Sequence, residues 1–301
     1  MVDSLCSFLE SEKQMKKIHL PQNTVDLIVK FINEKRVSDN LKTDFPNPLL
    51  RADVLDLLDR YCTVIYYPLE NESNNGFHIT GILDKNGNEK HFVYINTNQT
   101  IDKQIFTAAH ELGHIWEVDN YVIENLGGNI GEFNNEDIIN RFAAELLMPK
   151  DVFLAVFNSE HQKYKSTDGK TLLTDFLKII AAIMNQFLVP QKSVICRLFE
   201  LKKINSETLD LLLGKGVISE QDITNYINNI LKENGHEKFL TSFPKRHIDG
   251  LAKLLDDAEK EHTVSLSKIQ NLRQTFKLPK KQENSDTFAE GIDVSASEEK
   301  N

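Results

Sequence analysis

The segment His110-Glu-Leu-Gly-His114 limits what this chain can fold into more than any other feature of its sequence. Two histidines four residues apart lie on the same face of a helix, so both imidazole rings can reach one metal ion. The glutamate after the first histidine can then act on a water molecule beside that ion. The pattern therefore predicts a helix that carries a metal site, with His110 and His114 as ligands and Glu111 as the catalytic base.

The residues around this motif indicate that the helix also has a face for packing. Gly113 costs about 1 kcal/mol relative to alanine in a helix interior, and we infer that the metal site is crowded there. The alternative is an ordinary amphipathic helix whose two histidines lie at its polar edge and bind nothing. On a helical wheel the apolar side chains gather away from the histidines: Ile105, Ala108, Ala109, Leu112, Ile115 and Trp116.

A catalytic zinc ion of this kind takes three protein ligands and keeps one position open, so a third ligand is needed. The long metzincin motif would require glycine at position 117 and histidine at position 120. This chain has Glu117 and Asn120, which excludes that subclass. The remaining donors near the motif are His91, Glu117, Asp119, Glu124, Glu132, Glu136 and Asp137.

Among these donors, Glu136 has the most favourable setting. It opens a predicted helix over residues 136 to 148 that Pro149 ends, and Asn134 or Asn135 can cap this helix. A carboxylate in the first turn stays ionised near the positive end of the helix dipole. Asn140, one turn later, could orient a ligand. An acidic first-turn residue without any metal shows the same pattern, so the spacing alone leaves both readings open.

The segments Gln104–Trp116 and Asn140–Pro149 together closely resemble the ImmA/IrrE-type metallo-endopeptidases. The resemblance covers residues 48 to 157 and continues more weakly through residue 201. In that family an acidic residue shortly before the second segment completes a gluzincin-like zinc site, and by position this residue is Glu136. Members often have Glu-Ala or Gln-Ala directly before that segment. This chain has Ile138-Ile139 instead, which leaves Asp137 as an alternative third ligand.

The resemblance implies a zinc-dependent endopeptidase with Zn2+ on His110, His114 and Glu136. It implies a protein substrate, such as a helix-turn-helix repressor of a mobile element or a stress response. The alternative is a regulatory module with the metalloprotease fold that holds a partner protein without cleaving it. The presence of Glu111 argues against that alternative, because a pure binding module has no need of a base.

Composition limits the partners and the location of the protein. The chain has 35 Lys and Arg against 45 Asp and Glu, and a net charge of -10 disfavours direct binding to nucleic acid. Three widely spaced cysteines provide neither a disulfide framework nor a metal knuckle. The first residues do not resemble a signal peptide, and the longest apolar stretch, 176 to 184, is too short for a membrane helix. We therefore predict a cytoplasmic protein with no membrane partner.

The pattern of apolar residues predicts an α+β fold, in which a small antiparallel or mixed sheet packs on the HExxH helix and a mostly helical C-terminal region follows. Helical spacing extends to about residue 43, with Asn23 as a cap candidate. A helix from residue 50 to 61 leads into a strand at 62 to 67, and residues 77 to 83 and 91 to 95 form a hairpin. Later helices are predicted near residues 151–157, 171–187, 191–203, 206–213, 219–232 and 247–276.

We predict four parts of the chain: an N-terminal helical segment (1–45), a zinc metallopeptidase core (46–158), a helical C-terminal region (159–280) and a disordered tail (281–301). Residues 187 to 199 faintly suggest a helix-turn-helix, but their apolar spacing favours packing in the core. The run from His91 to Asn96 could hold an extended substrate by strand addition, if it lies at the edge of the sheet.

Overall fold

The computed structural model describes residues 20–41, 49–70, 74–83, 86–128, 133–164, 171–215 and 217–278. The chain divides into two compact units, Met1–Asp249 and Gly250–Asn301. The larger unit combines a small sheet with many helices, and the described part of the smaller unit consists of two helices. The predicted α+β class is therefore confirmed. The predicted tail at 281–301 lies outside the described residues.

The larger unit begins with two helices and then alternates between sheet and helix before it becomes helical. Its elements are α1 (Gln22–Ser38), α2 (Asp53–Asp59), β1 (Thr63–Tyr67), β2 (Gly76–Leu83), β3 (Glu89–Asn96), α3 (Ile101–Ile115), α4 (Val118–Asn125), α5 (Asn135–Leu147), α6 (Lys150–Tyr164), α7 (Leu173–Phe187), α8 (Gln191–Glu200), α9 (Ser206–Leu212), α10 (Glu220–Glu233) and β4 (His247–Ile248). The smaller unit contains α11 (Leu251–Lys260) and α12 (Leu266–Thr275).

The sheet has the strand order β2-β3-β1-β4 and is mixed. β2 and β3 form the predicted antiparallel hairpin, β1 pairs with β3 in parallel, and β4 pairs with β1 in the antiparallel sense. Strand addition to the run from His91 to Asn96 required this run to lie at an edge of the sheet, and it does not. Strand β2 occupies one side of β3, and β1 takes the other side with Thr63 opposite Phe92. Among the described strands, β2 and the two-residue β4 are the outermost.

Helix α3 lies against this sheet and forms the centre of the core. Its Ala108, Ala109 and Leu112 are fully buried, as are Val93 and Ile95 of β3. The small alanine side chains let the helix approach the sheet closely. Successive side chains of a strand point to opposite faces of the sheet, so one apolar face of β3 lies against α3. The predicted packing of the sheet on the HExxH helix is thus observed.

Helix α1 belongs to the same core, although it lies far from the motif in sequence. The ring of Phe31 packs at centroid distances of 6.3 Å from Trp116, 4.9 Å from Tyr121 and 6.4 Å from Phe142. These three aromatic residues come from the end of α3, from α4 and from α5. The aromatic cluster therefore joins α1 to the end of α3, to α4 and to α5.

Several element boundaries differ from the sequence-based prediction. Helix α1 begins directly after Pro21, so Asn23 lies inside the helix and does not cap it. Helix α3 ends at Ile115 because Glu117 adopts a left-handed conformation with φ 53°, and α4 follows at once, which was not predicted. The predicted helix over 247–276 is wrong as a single element. It begins with β4 and is interrupted between α11 and α12.

The segment from residue 187 to 199 packs in the core, as its apolar spacing predicted. Val189, Val194 and Ile195 are fully buried at the junction of α7 and α8. In the described part of the chain no single helix is long and apolar enough to cross a membrane. Helices α7 and α8 pass that test only when taken together, and they meet at a bend of 105°.

A buried ion network connects α5 to α8, and it was not predicted from the sequence. Glu145 accepts hydrogen bonds at Oε1 from Arg141 Nη2 at 2.7 Å and from Arg197 Nη1 at 2.8 Å. Glu200 Oε2 lies 2.6 Å from Arg141 Nη1 and 3.0 Å from Arg197 Nη1. Arg197 also donates to the carbonyl oxygen of Met148 at 3.0 Å. In the sequence, this network could have been recognised from charged residues of opposite sign that lie three or four positions apart within otherwise apolar helices.

We expect the Glu145→Gln substitution to destabilise the protein by about 3–5 kcal/mol, because it leaves two buried arginines, Arg141 and Arg197, with Glu200 as their one remaining carboxylate in the network. The Arg197 side chain is 0% exposed, so water cannot replace the lost carboxylate. Equilibrium unfolding in urea measures the free energy difference between the variant and the wild type.

Glu160→Gln is the matched control for this prediction. Glu160 pairs with Lys163 on the same helix at 2.7 Å, but the lysine side chain is 56% exposed. Exposed ion pairs contribute about 0–1 kcal/mol, so this variant should unfold close to the wild type. Equal decreases in the free energy of unfolding of the two variants would show that the buried network stabilises the protein no more than an exposed ion pair does.

Candidate metal centre

Helix α3 presents His110 and His114 on successive turns toward one point. Their Nε2 atoms are 3.2 Å apart, and their ring centroids are 4.9 Å apart. His110 is almost fully buried, whereas a quarter of the His114 side chain is exposed. Two neutral imidazoles cannot direct their lone pairs at each other over this distance unless a proton or another cation lies between them. This contact therefore requires either an N–H proton of one ring between the two nitrogens or a cation that both nitrogens bind.

The start of α5 brings Glu136 to the same point. Its Oε2 lies 3.3 Å from His110 Nε2, and its Oε1 lies 3.4 Å from His114 Nε2. Within the described residues, His110, His114 and Glu136 are the group of potential metal ligands whose donor atoms all lie within 4.8 Å of one another. The residue favoured as third ligand by the sequence is therefore the one that the fold places beside the histidines.

The neighbouring Asp137 has a different task in the structure. Its Oδ2 accepts from the backbone N–H of Asn134 at 3.0 Å, and its own N–H donates to Asn134 Oδ1 at 2.9 Å. This reciprocal pair is a capping box, and Asn134 is the cap, as one of the two predicted candidates. Because the cap holds the Asp137 carboxylate at the helix start, Glu136 is the carboxylate that faces the histidines.

The other candidate donors lie away from this cluster or outside the described structure. His91 Nδ1 is 3.0 Å from His78 Nε2 on the β2–β3 hairpin. Asp119 accepts a hydrogen bond from Asn135 Nδ2 at 2.7 Å. Glu117 and Glu124 are not members of the cluster, and Glu132 lies outside the described residues.

The three side chains lie close enough together to hold one zinc ion, whose ligand atoms are about 2.0–2.1 Å from the metal. The two Nε2 atoms are 3.2 Å apart, and each lies 3.3 or 3.4 Å from a different oxygen of Glu136. One donor atom from each residue lies within 4.8 Å of the other two. Two imidazole nitrogens and one carboxylate also leave a fourth position open, which is the composition of a catalytic zinc site.

Residues 59–198 match the family model of Peptidase M78, described as the IrrE N-terminal-like domain. These residues therefore form a domain of the ImmA/IrrE family. The match extends from the end of α2 into α8 and includes His110, Glu111, His114 and Glu136. Neither a curated protein nor a solved structure matches the chain significantly.

Membership of the ImmA/IrrE family supports a metallopeptidase-type function and implies a metal ion. The donor cluster on α3 and α5 could hold that ion. The family match agrees with the resemblance seen in the sequence over residues 48 to 157, and it continues into the weaker region before residue 201. Helix α1 and the elements after α8 lie outside the match.

In this ImmA/IrrE domain, Asn140 lies where it can fix the orientation of His110. Its Oδ1 is 3.0 Å from His110 Nδ1, so that nitrogen carries the proton and Nε2 is left with its lone pair. A hydrogen bond of this kind holds a ligating ring in place and raises its basicity. The structure therefore places Asn140 in the supporting position that the sequence suggested.

Glu111 is the buried carboxyl group of the site. Burial raises its pKa to about 7, with a further increase from Glu136 and an opposing decrease from His110. Burial lowers the pKa of His110, but the hydrogen bond to Glu136 and the nearby carboxylates outweigh it and raise the pKa overall. A base with a pKa near neutral pH can both take up and release a proton.

Gly113 sets the distance between the two helices that carry the donors. A Cβ atom at this position would lie 2.8 Å from Phe142 Cδ1 and 3.2 Å from Ile139 Cγ2 of α5. The prediction from Gly113 of crowding beside the metal site is corrected by these contacts. The crowding comes from the close contact of α5 with α3, on which the position of Glu136 depends.

We expect Gly113→Ala to lower zinc affinity by about tenfold or more, because α5 must move away and take Glu136 with it. The substitution should also destabilise the protein by about 1–3 kcal/mol through overpacking. Competition with a chelator and unfolding in urea measure the two effects. If the space beside Gly113 were open, alanine would instead stabilise the helix by about 1 kcal/mol. An increase in the free energy of unfolding would therefore contradict the close contact between α3 and α5.

The pair Glu136→Gln and Asp137→Asn distinguishes the two candidate third ligands. We expect Glu136→Gln to lose most of its bound zinc, because it removes the carboxylate nearest both histidines. Asp137→Asn should keep its zinc and lose about 1 kcal/mol of stability with the capping box. Metal analysis after dialysis gives the zinc content of both variants. Loss of zinc from the Asp137 variant alone would make Asp137 the ligand.

Proposed function

We propose that this protein is a zinc-dependent endopeptidase that hydrolyses a peptide bond in another protein. The observation that carries the proposal is the cluster of His110, His114 and Glu136, whose donor atoms lie within 4.8 Å of one another, with the buried Glu111 one residue after the first histidine. Zinc bound there supplies a Lewis acid that activates water and polarises the scissile carbonyl.

Glu111 acts in this proposal as the general base and then as the general acid. Its carboxylate takes a proton from the attacking water and returns that proton to the nitrogen of the leaving amine. Only 4% of the residue is exposed, so bulk water does not compete for the proton during the transfer. Asn140 keeps the His110 ring oriented throughout, because their hydrogen bond lies on the opposite side of the ring from Nε2.

Strand β2 is the proposed platform for the substrate. A Cβ atom at Gly76 would lie 2.6 Å from Thr107 Cγ2, so the start of β2 touches α3. Thr107, Glu111 and His114 are spaced as i, i+4 and i+7 and share one face of that helix. An extended peptide that pairs with the free edge of β2 would therefore run along the side of α3 that carries the metal ligands.

The resemblance described above supports a transcriptional repressor with a helix-turn-helix as the substrate. The cytoplasm remains the predicted place of cleavage, from the composition of the sequence. Cleavage would require a segment of the repressor to become extended, because strand pairing uses the peptide backbone. The negative net charge supports a protein substrate over direct binding to DNA.

We expect Glu111→Gln to retain zinc and to lose cleavage by a factor of about 100 or more, because proton transfer in the transition state is lost. The assay follows cleavage of a co-encoded helix-turn-helix repressor by gel electrophoresis and mass spectrometry, alongside metal analysis.

Glu124→Gln is the matched control, since it removes an exposed carboxylate on α4 outside the metal cluster. This variant should cleave at the wild-type rate. Wild-type cleavage by the Glu111 variant would contradict the assignment of the base. Tight binding of the repressor by both wild type and the Glu111 variant, with cleavage by neither, would favour the partner-holding module instead.

A further inference from the structure

The four-stranded sheet has two faces, and the protein core lies against one of them. Val64 of β1 and Val93 and Ile95 of β3 belong to the core on this face. Gly76 of β2 lies opposite Ile95, and a Cβ atom there would lie 2.6 Å from Thr107 of α3. Helix α3 therefore packs on this face. Side chains one position away along each strand point to the opposite face.

A row of apolar side chains crosses this opposite face of the sheet. Residues that lie directly across from each other on neighbouring strands share a face. Ile248 of β4 lies opposite Ile65 of β1, which in turn lies opposite Tyr94 of β3. Tyr94 lies opposite Phe77 of β2, and the two rings stack in parallel with centroids 4.9 Å apart. The row therefore runs through all four strands.

A second row runs beside the first. Phe92 of β3 lies opposite Thr63 of β1 on one side and Ile79 of β2 on the other. The apolar members of the two rows form what we call the outer face: Ile65, Phe77, Ile79, Phe92, Tyr94 and Ile248. All six are partly exposed, and within the described residues none of them belongs to the main core or packs against it. Contiguous apolar surface marks a binding surface more often than scattered apolar residues do.

The six residues of the outer face carry no formal charge, whereas the whole chain has a net charge of -10. Lys90, two positions before Phe92 on β3, adds a cation at the end of that strand. A nucleic acid needs several basic residues along its phosphate backbone, and the described strand residues on this side offer one. Two copies of an acidic chain repel each other over most of their surfaces. On the outer face they can meet without bringing carboxylates together.

We propose that the outer face binds a second copy of this chain, so that two sheets pack face to face. Sheets stack about 10 Å apart with interdigitated side chains, which suits a sheet face better than a lone helix does. In a symmetric dimer each copy offers the other the same apolar rows. The dimer does not depend on the peptidase activity. It leaves the α3 side of both sheets, where the metal centre lies, uncovered.

The extent of the outer face sets the expected strength of the dimer. Each of its side chains is already partly buried, so the dimer covers less area than a standard interface of about 1,600 Å². Interfaces that bury less than about 1,200 Å² are typical of weak complexes. We therefore expect a reversible dimer with a Kd of about 10–100 µM.

Sedimentation equilibrium of the full chain, over concentrations that bracket this range, tests the proposal. The wild type should pass from monomer to dimer. Phe77→Glu should raise the Kd by about tenfold or more, because it puts a carboxylate into the apolar contact in both copies. Ile79→Thr keeps a β-branched side chain that suits a strand, and should raise the Kd by about threefold through the loss of apolar area.

Tyr226→Glu is the matched control for Phe77→Glu. Tyr226 is an aromatic residue of α10 that is 36% exposed and lies outside the sheet. This variant should dimerise with the wild-type Kd. Circular dichroism and the content of bound zinc show that each variant is folded, because the metal centre lies on the α3 side of the sheet. If Phe77→Glu fails to fold, Ile79→Thr still measures the contribution of the outer face.

A wild type that stays monomeric at every concentration would overturn the proposal. So would a wild-type Kd in both variants of the outer face, or an equal rise in Kd for Phe77→Glu and Tyr226→Glu. An oligothymidylate bound by a monomeric wild type, and released by Phe77→Glu, would assign the outer face to single-stranded nucleic acid and refute the dimer.

Discussion

The close contact between α3 and α5 holds the two halves of the metal centre together. The histidines come from one helix and Glu136 from the other, and no backbone hydrogen bond fixes their separation. Gly113 leaves room for Phe142 and Ile139, and this packing sets how near the first turn of α5 can come. The capping box then decides which of two adjacent carboxylates turns toward the histidines. Apolar packing and a helix cap thus bring the Glu136 carboxylate beside the two imidazole rings.

A second electrostatic feature lies further along α5, where Glu145 joins two arginines in the protein interior. Such networks are costly to bury, and they hold a structure only when every charge has a partner. Here Arg197 reaches α5 from α8 and also binds the Met148 carbonyl, directly after the end of the helix that carries Glu136 in its first turn. One helix is therefore fixed at its start by a cap and at its end by ion pairs, with the metal ligand and the network on opposite faces.

Local patterns in the sequence predicted much of this site, and non-local pairing limited the rest. Residues His110, Glu111 and His114 lie within two turns of one helix, so their common face follows from helical geometry. The choice between Glu136 and Asp137 as the third ligand depended on which carboxylate completes the capping box. The presence of Asn134 in the sequence did not decide this. The sequence did not predict which strands flank β3, because hydrophobic alternation gives the direction of side chains and not the neighbours of a strand. Helix α4 escaped prediction because Glu117 interrupts the helix with a left-handed backbone after the motif.

The short strand β4 has a consequence for how the sheet meets other chains. Its two residues pair with Ile65 and Tyr66, and Thr97 and Lys245 add two further hydrogen bonds beside them. The outer row of β1 amides and carbonyls is thus partly occupied by the protein's own backbone. Among the described strands, β2 is left as the side that can recruit a foreign strand. A peptide bound there and a second copy of the protein would compete for the same groups, so occupancy by the peptide would also guard the protein against edge-to-edge aggregation.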